Sequence, residues 1–451
     1  MTQGPIRKQL ISFALPLFAG SLIQLLYNTV DLMFVGRVLG TEASAAVGAS
    51  SLIVTCILGA FTGLSVGVGV VTAKVVGSGN IGRLNQIIHC AAGLTCVLSL
   101  VFTVLGLIMA PEFLRWIQTP ADVLENATAY LRLYLLSLIS IVSYNMGSGI
   151  LRALGNTKSP TLYQLAGGIA NIIGNTLFIC FLDWGVQGAA LATACSQGLA
   201  AFLIIRHLCT IKTPYRLRLR QLQINASICG QFLLVGIPAA IQSIVITLSN
   251  LIVQAHINQL GIDSMAAFTA YFKVENFIYL PIMAFGQACS TFTSQNIGAN
   301  QVDRAKQGVK TSLFLGITVT ISASVLTLCF SDFAFGLFSK EPAVIALGTK
   351  IAFVAYPFYF IYVFLEVYAS AIRGAGKALP AMLIVVINMC VVRTCILKVV
   401  LHFYPNALGV AAIYPLTWAC TGLCLFLYYK SGGWFSAQTD VARKRISVGQ
   451  R

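Results

Sequence analysis

The stretch LPLFAGSLIQLLYNTVDLMFVG, residues 15–36, holds a single charged side chain, Asp31, in an otherwise apolar run. A hydrocarbon core about 30 Å thick is crossed by roughly 20 apolar residues in a helix, so this run is long enough to span it. Breaking the chain outward from here at Gly, Pro and charge clusters gives twelve such runs. They lie near 10–36, 46–76, 84–109, 126–151, 161–182, 186–205, 228–260, 264–297, 311–330, 343–372, 379–403 and 408–429. No segment shows the short alternation of apolar and polar residues that marks a membrane barrel. Arg7 and Lys8 ahead of the first run resemble the start of a signal peptide, but the run outlasts an ordinary h-region and contains Asp31, so it is read as a retained helix. The expected fold class is an all-α polytopic membrane protein with twelve transmembrane helices.

Composition agrees. The 451 residues are 57% hydrophobic and 9% charged, with a mean hydropathy of +0.85 and a formal net charge of +16. A basic excess can mark a nucleic-acid binder, but here the positions of the charges follow the membrane. With a cytoplasmic N-terminus and alternating spans, the inner face receives Arg7 and Lys8, the cluster Arg206, Lys212, Arg216, Arg218 and Arg220, the group Arg304, Lys306 and Lys310, and the tail Arg443, Lys444 and Arg445. Glu42, Glu112, Asp122, Glu125, Asp183, Asp263, Asp332 and Glu341 fall outside. The expectation is an N-in, C-in, multi-pass protein of a bacterial cytoplasmic (inner) membrane, monomeric, with the lipid bilayer as partner and no nucleic acid. The 13 cysteines are scattered through apolar runs without a CxxC pair or clustered histidines, which reads as small buried hydrophobes. No cofactor is expected.

The chain also repeats itself at an offset of 221 residues. Leu39 and Gly40 match Leu260 and Gly261, Arg83 and Gln86 match Arg304 and Gln307, and Arg152 and Gly155 match Arg373 and Gly376. Gly188 matches Gly409, and Pro16 pairs with Pro238 one residue out of step. Each repeat holds an even number of spans, so the two run parallel about an axis along the membrane normal. The expected organisation is an N-terminal six-helix lobe at 1–205, a basic cytoplasmic linker at 206–227, a C-terminal six-helix lobe at 228–430 and a cytoplasmic tail at 431–451. Two like lobes facing across a cleft can rock between inward-open and outward-open states.

Acids deep in the spans are Asp31, Glu275 and Glu366. A charge at a helix centre costs about 2.5–3.5 kcal/mol on insertion scales, so each asks for a partner or a function. Tyr27 and Asn28 lie four and three residues before Asp31, with Gln24 one turn further, making a polar stripe on one helix face. The plain alternative is that this stripe packs against another polar helix. In the second repeat, Lys273 and Glu275 are two residues apart and point to different sides, so a lock between Lys273 and Glu366 across helices is expected, the alternative being that Glu366 meets cargo or a second proton. Arg393 and Lys398 are expected to snorkel or pair near the outer end of the eleventh helix. The GSGN and LGNTK segments lack the order of a phosphate-binding loop, so no ATP use is indicated.

The first span with Pro16 and VDLMFVGRVLG, the segment LRALGNTKSP at 151–160, GVQGAALATACSQ at 185–197 and SAIRGAGKALP at 370–380 together resemble the multidrug and toxin extrusion family over essentially the whole chain. The resemblance is greatest to its DinF-like branch. It implies a cation-coupling site at Asp31, supported by Tyr27 and completed by Asn171 and Thr193, with Pro16 where the first helix bends. Asn175 stands where that branch has a second carboxylate, which reduces the negative charge offered to a sodium ion. The resemblance therefore implies coupling to H+, with Na+ at Asp31, Asn171, Asn175 and Thr193 as the alternative. Ile246 replaces the seventh-helix glutamate of the NorM-like branch. The implied function is an antiporter exporting amphipathic, cationic organic small molecules. The alternatives are a flippase or exporter of a lipid-linked or polyketide-like metabolite, and a membrane-embedded enzyme, for which no nucleophile, metal or cofactor constellation is visible.

Overall fold

The computed structural model describes residues 1–435, with Leu32, Val35, Arg37, residues 40–46 and Ala121 described by backbone alone. Each expected span falls on a helix. The first helix, Ile6–Phe34, passes into a π-helical turn, Val35–Leu39; the second is Gly40–Ser78 and the third Ile81–Trp116. The fourth runs as Ala121–Leu136 and Leu138–Ala153, bent by 43°. At the bend the Ser137 hydroxyl donates back to the Tyr134 carbonyl at 2.6 Å, a local bond that competes with the helix ladder. The fifth, Lys158–Asn175, runs into a second π-helical turn, Thr176–Phe181, and the sixth is Gly185–Thr210.

The seventh to ninth helices are Ala226–Gln259, Ile262–Gly298 and Val302–Cys329. The tenth comprises Pro342–Ala355 and Tyr359–Gly374, joined by a 3-10 turn, Tyr356–Phe358. The eleventh is Ala378–Val386, a π-helical turn, Ile387–Val392, and Arg393–Phe403; the twelfth is Ala407–Lys430. Among the described residues, 10 helices are long and apolar enough to cross a membrane, and the bent fourth makes 11. The eighth has the length, 37 residues, but carries Asp263, Lys273 and Glu275 along it.

The chain divides into two compact units, Leu15–Ala240 and Met1–Ala14 with Ile241–Arg451. The first unit is built on Phe61, Ile87, Ile88, Val142, Ile204 and Phe232. The expected linker belongs to it. Leu217 is buried with its N–H on the Leu208 carbonyl at 2.9 Å, and the Arg218 N–H donates to His89 Nε2 at 3.0 Å. Asn225 then accepts from the N–H groups of Ser227 and Ile228, satisfying donors that a helix start leaves open. The second unit is built largely on aromatic residues, with Trp418 in ring contact with Tyr359 and Tyr362 at 4.6 and 5.4 Å. Of the expected tail, Trp434 is buried and stacks on Tyr429 at 4.9 Å, while residues 436–451 lie outside the described residues.

The repeat is visible in backbone conformation. Gly155 and Gly376, one repeat apart, both follow the end of a span with φ of 92° and 89°. A Cβ at such a φ clashes with the neighbouring peptide, so glycine is needed although the space around both positions is open. Gly155→Ala and Gly376→Ala are each expected to cost roughly 1–2 kcal/mol, measured as loss of thermal stability in detergent. Unchanged stability of both variants would contradict a conformational role for these glycines.

Candidate functional site

The first helix is fixed on the fifth at its proline. Pro16 has no N–H to give, and its own carbonyl accepts from the Thr161 hydroxyl at 2.7 Å. Thr161 also reaches the Thr157 carbonyl of its own helix end at 3.1 Å. From that anchor the helix carries Gln24, Tyr27, Asn28 and Asp31 along one face, as the sequence stripe requires.

Asp31 meets the fifth helix through Asn175, whose Nδ2 donates to Asp31 Oδ1 at 2.7 Å. The same Nδ2 lies 3.2 Å from Asn171 Oδ1, and Asn171 Nδ2 donates to Thr193 Oγ1 of the sixth helix at 3.4 Å. Asp31, Asn175, Asn171 and Thr193 therefore form one hydrogen-bonded chain across three helices. Asn171 and Asn175 are both buried, at 1% and 0% exposed, and Asn175 Oδ1 has no hydrogen-bond partner. An unused acceptor beside a carboxylate in a buried site is a place where a proton or cation can be held. The Tyr27 hydroxyl, one turn before Asp31 on the same helix, accepts from Gln164 Nε2 at 3.5 Å and Gln197 Nε2 at 3.4 Å.

A cavity of about 350 Å³ opens beside these residues within the first unit. Its walls include Gln24, Tyr27, Asn28, Asp31 and Thr193, and also Tyr130, Tyr134, Tyr144, Asn145, Gln164 and Gln197, which the sequence reading missed. The bend at Ser137 lets both segments of the fourth helix contribute, Tyr130 and Tyr134 from one and Tyr144 and Asn145 from the other. The spacing of Tyr130 and Tyr134, one turn apart, was the available sequence signal. Among the described residues that line it, Asp31 is the one charged side chain. Such a cavity is suited to hold a cationic or hydrogen-bonding aromatic guest.

The MatE family model matches residues 16–177 and 238–397, one match in each repeat. The chain belongs to the MatE family. It is 28% identical over 445 residues to YpnP, a probable multidrug resistance protein of Bacillus subtilis, covering 96% of this chain and 97% of that protein. It is 25% identical over 399 residues to a FAD transporter of Shewanella oneidensis, covering 86% of each. A crystal structure of MATE in the straight conformation matches with a TM-score of 0.90 at 21% identity, over 97% of this chain and 98% of that one. That structural likeness carries the fold, an all-helical architecture of two lobes.

In the second unit of this MatE chain, two expectations are corrected. Glu366 does not pair with Lys273. It accepts from Arg373 Nη2 at 2.9 Å and Ser370 Oγ at 2.7 Å, both on its own helix. Residues at i, i+4 and i+7 share a helix face, and the long arginine reaches back toward the N-terminus along it. Lys273 is exposed, with its ammonium 5.6 Å from the Phe338 ring centroid. Arg393 does not snorkel either. It is buried at 4% exposure, donates to Asn250 Oδ1 at 2.9 Å and lies 5.3 Å from the Tyr414 ring centroid. The π-helical turn Ile387–Val392 just before it inserts a residue into the helical count, rotating the remainder of the helix by about 100°. Glu275 accepts a hydrogen bond from the Tyr359 hydroxyl inside the aromatic core, and Ile246 packs against that core. Lys398 is exposed.

Proposed function

We propose that this chain is a gradient-driven antiporter in which a proton taken up at Asp31 is exchanged for an amphipathic organic cation by alternating access. The observation that carries this reading is a cavity whose lining, among the described residues, holds one carboxylate, four tyrosines and no basic side chain. Asp31 can bind either a proton or a positively charged guest, and competition between them is the elementary requirement of exchange. With one carboxylate and three neutral oxygen donors, the Asp31, Asn171, Asn175 and Thr193 set favours H+ over a bare Na+. Names among the relatives, such as the multidrug export protein MepA of Staphylococcus aureus, support the substrate class.

The second reading is export of a metabolite with hydrogen-bonding ring edges. The side-chain amides of Gln24, Asn28, Asn145, Gln164 and Gln197 around one cavity favour it, as does the similarity to a FAD transporter. Uptake of an ethidium-like dye by cells expressing the chain separates the two. Uncoupler-sensitive dye exclusion supports the first reading, and unchanged dye accumulation turns attention to the second.

The same reading places the chain in the bacterial cytoplasmic membrane with both ends inside. A cysteine introduced at Gln221 in the linker is expected to be labelled only from the cytoplasm, and one at Glu42 only from outside, after the native cysteines are removed. Labelling of both from one side contradicts the parallel repeat.

A further inference from the structure

The boundaries between the two units do not fall in the linker. They fall inside two continuous helices, after Ala14 in Ile6–Phe34 and after Ala240 in Ala226–Gln259. Each boundary lies beside the proline of that helix, Pro16 or Pro238. The leading segment of each repeat is thus packed within the unit made mainly by the other repeat.

An arginine holds each leading segment. Arg304, at the start of the ninth helix, donates through Nη2 to the Gly4 carbonyl at 2.7 Å, Gln9 Oε1 at 3.2 Å and the Met1 carbonyl at 3.3 Å. Its guanidinium also lies 5.5 Å from the Phe292 ring centroid. Arg83, at the start of the third helix, donates through Nη2 to Gln231 Oε1 at 3.3 Å. Arg83 and Arg304 are repeat partners. Gln9 and Gln231 each precede their proline by seven residues, two helical turns. The same arginine, glutamine and proline therefore recur in both halves, each arginine–glutamine contact lying within a single unit.

We propose that Arg83 and Arg304 are matched positioning residues for transport, each seating the leading segment of a proline-bearing helix so that motion in the cycle is concentrated at Pro16 and Pro238. A proline deletes a rung of the helix ladder and makes bending easiest there. A bend transmits movement only if the segment before it is held. Arg304, with three acceptors and a ring beneath it, holds more firmly than the exposed Arg83. This proposal rests on the transporter reading above.

The test combines hydrogen exchange with transport in reconstituted full-length protein. Arg304→Gln is expected to speed amide exchange in residues 1–14 by roughly tenfold while leaving residues 226–240 unchanged, and Arg83→Gln the reverse. Gradient-driven dye transport is expected to fall roughly fivefold or more in Arg304→Gln, and less in Arg83→Gln, with dye affinity unchanged. Gln9→Leu and Gln231→Leu approach the same contacts from the other partner and are expected to act in the same direction. Unchanged exchange in the arginine variants overturns the seating. Faster exchange with undiminished transport overturns its role in the cycle. If the unaltered chain moves no dye under any gradient, the transporter reading fails instead, and the exchange result still decides whether the arginines seat the segments.

Discussion

Asp31→Asn is expected to leave the chain inserted and able to bind cargo while abolishing gradient-driven export. Asparagine keeps the shape of the side chain and can still accept from Asn175 Nδ2, which lies 2.7 Å from Asp31 Oδ1. It cannot gain or lose a proton. The other polar groups of the hydrogen-bonded chain, Asn175, Asn171 and Thr193, are neutral and have no titration to substitute for it. Asp31→Glu keeps a titratable group on a longer arm and is expected to retain part of the activity with an altered pH profile. Dye binding by fluorescence quenching, measured beside transport in liposomes, checks the separation of binding from coupling. Loss of both together would assign Asp31 to cargo binding alone.

The second large effect is on stability. Arg373 and Glu366 have side chains 13% and 6% exposed and make the one buried ion pair among the described residues. Arg373→Met leaves a carboxylate without its counter-charge, and removal of one partner of a buried pair costs about 3–5 kcal/mol. The double change of Glu366→Gln with Arg373→Met is expected to recover most of the loss, because no buried charge then remains uncompensated. Lys273→Ala is expected to stay within about 0.5 kcal/mol, its ammonium being outside this contact. Thermal unfolding of these variants and the unaltered chain in one detergent tests this. Additive losses in the double variant, or a large loss from Lys273→Ala, would contradict the pairing.

The spans were legible because apolar runs add up over many residues, and the offset of 221 follows from matches such as Gly155 with Gly376, whose shared positive φ supplies the physical reason. The quartet of Asp31, Asn171, Asn175 and Thr193 was legible through family motifs, and the structure brings all four together. The π-helical turns were not legible, since an extra residue in a helix leaves no compositional mark. Two of them follow the segments bearing Asp31 and Asn175, and a third turns Arg393 into the core. Tyr144, Asn145, Gln164 and Gln197 were missed because a single polar residue on an apolar helix reveals its neighbours only once bends such as that at Ser137 are known. The pairing of Glu366 was within reach, for Ser370 and Arg373 stand at helical spacings on the same segment. Lys273, the opposite charge on another helix, is instead the partner that charge counting alone suggests.

Transport by purified protein in liposomes, with proton and sodium gradients imposed separately, tests the central claim most directly. The account predicts that a proton gradient alone drives accumulation of a cationic dye against its own gradient, that an uncoupler abolishes it, and that Asp31→Asn does not support it. Accumulation driven by sodium alone, or full proton-driven accumulation by Asp31→Asn, would contradict it.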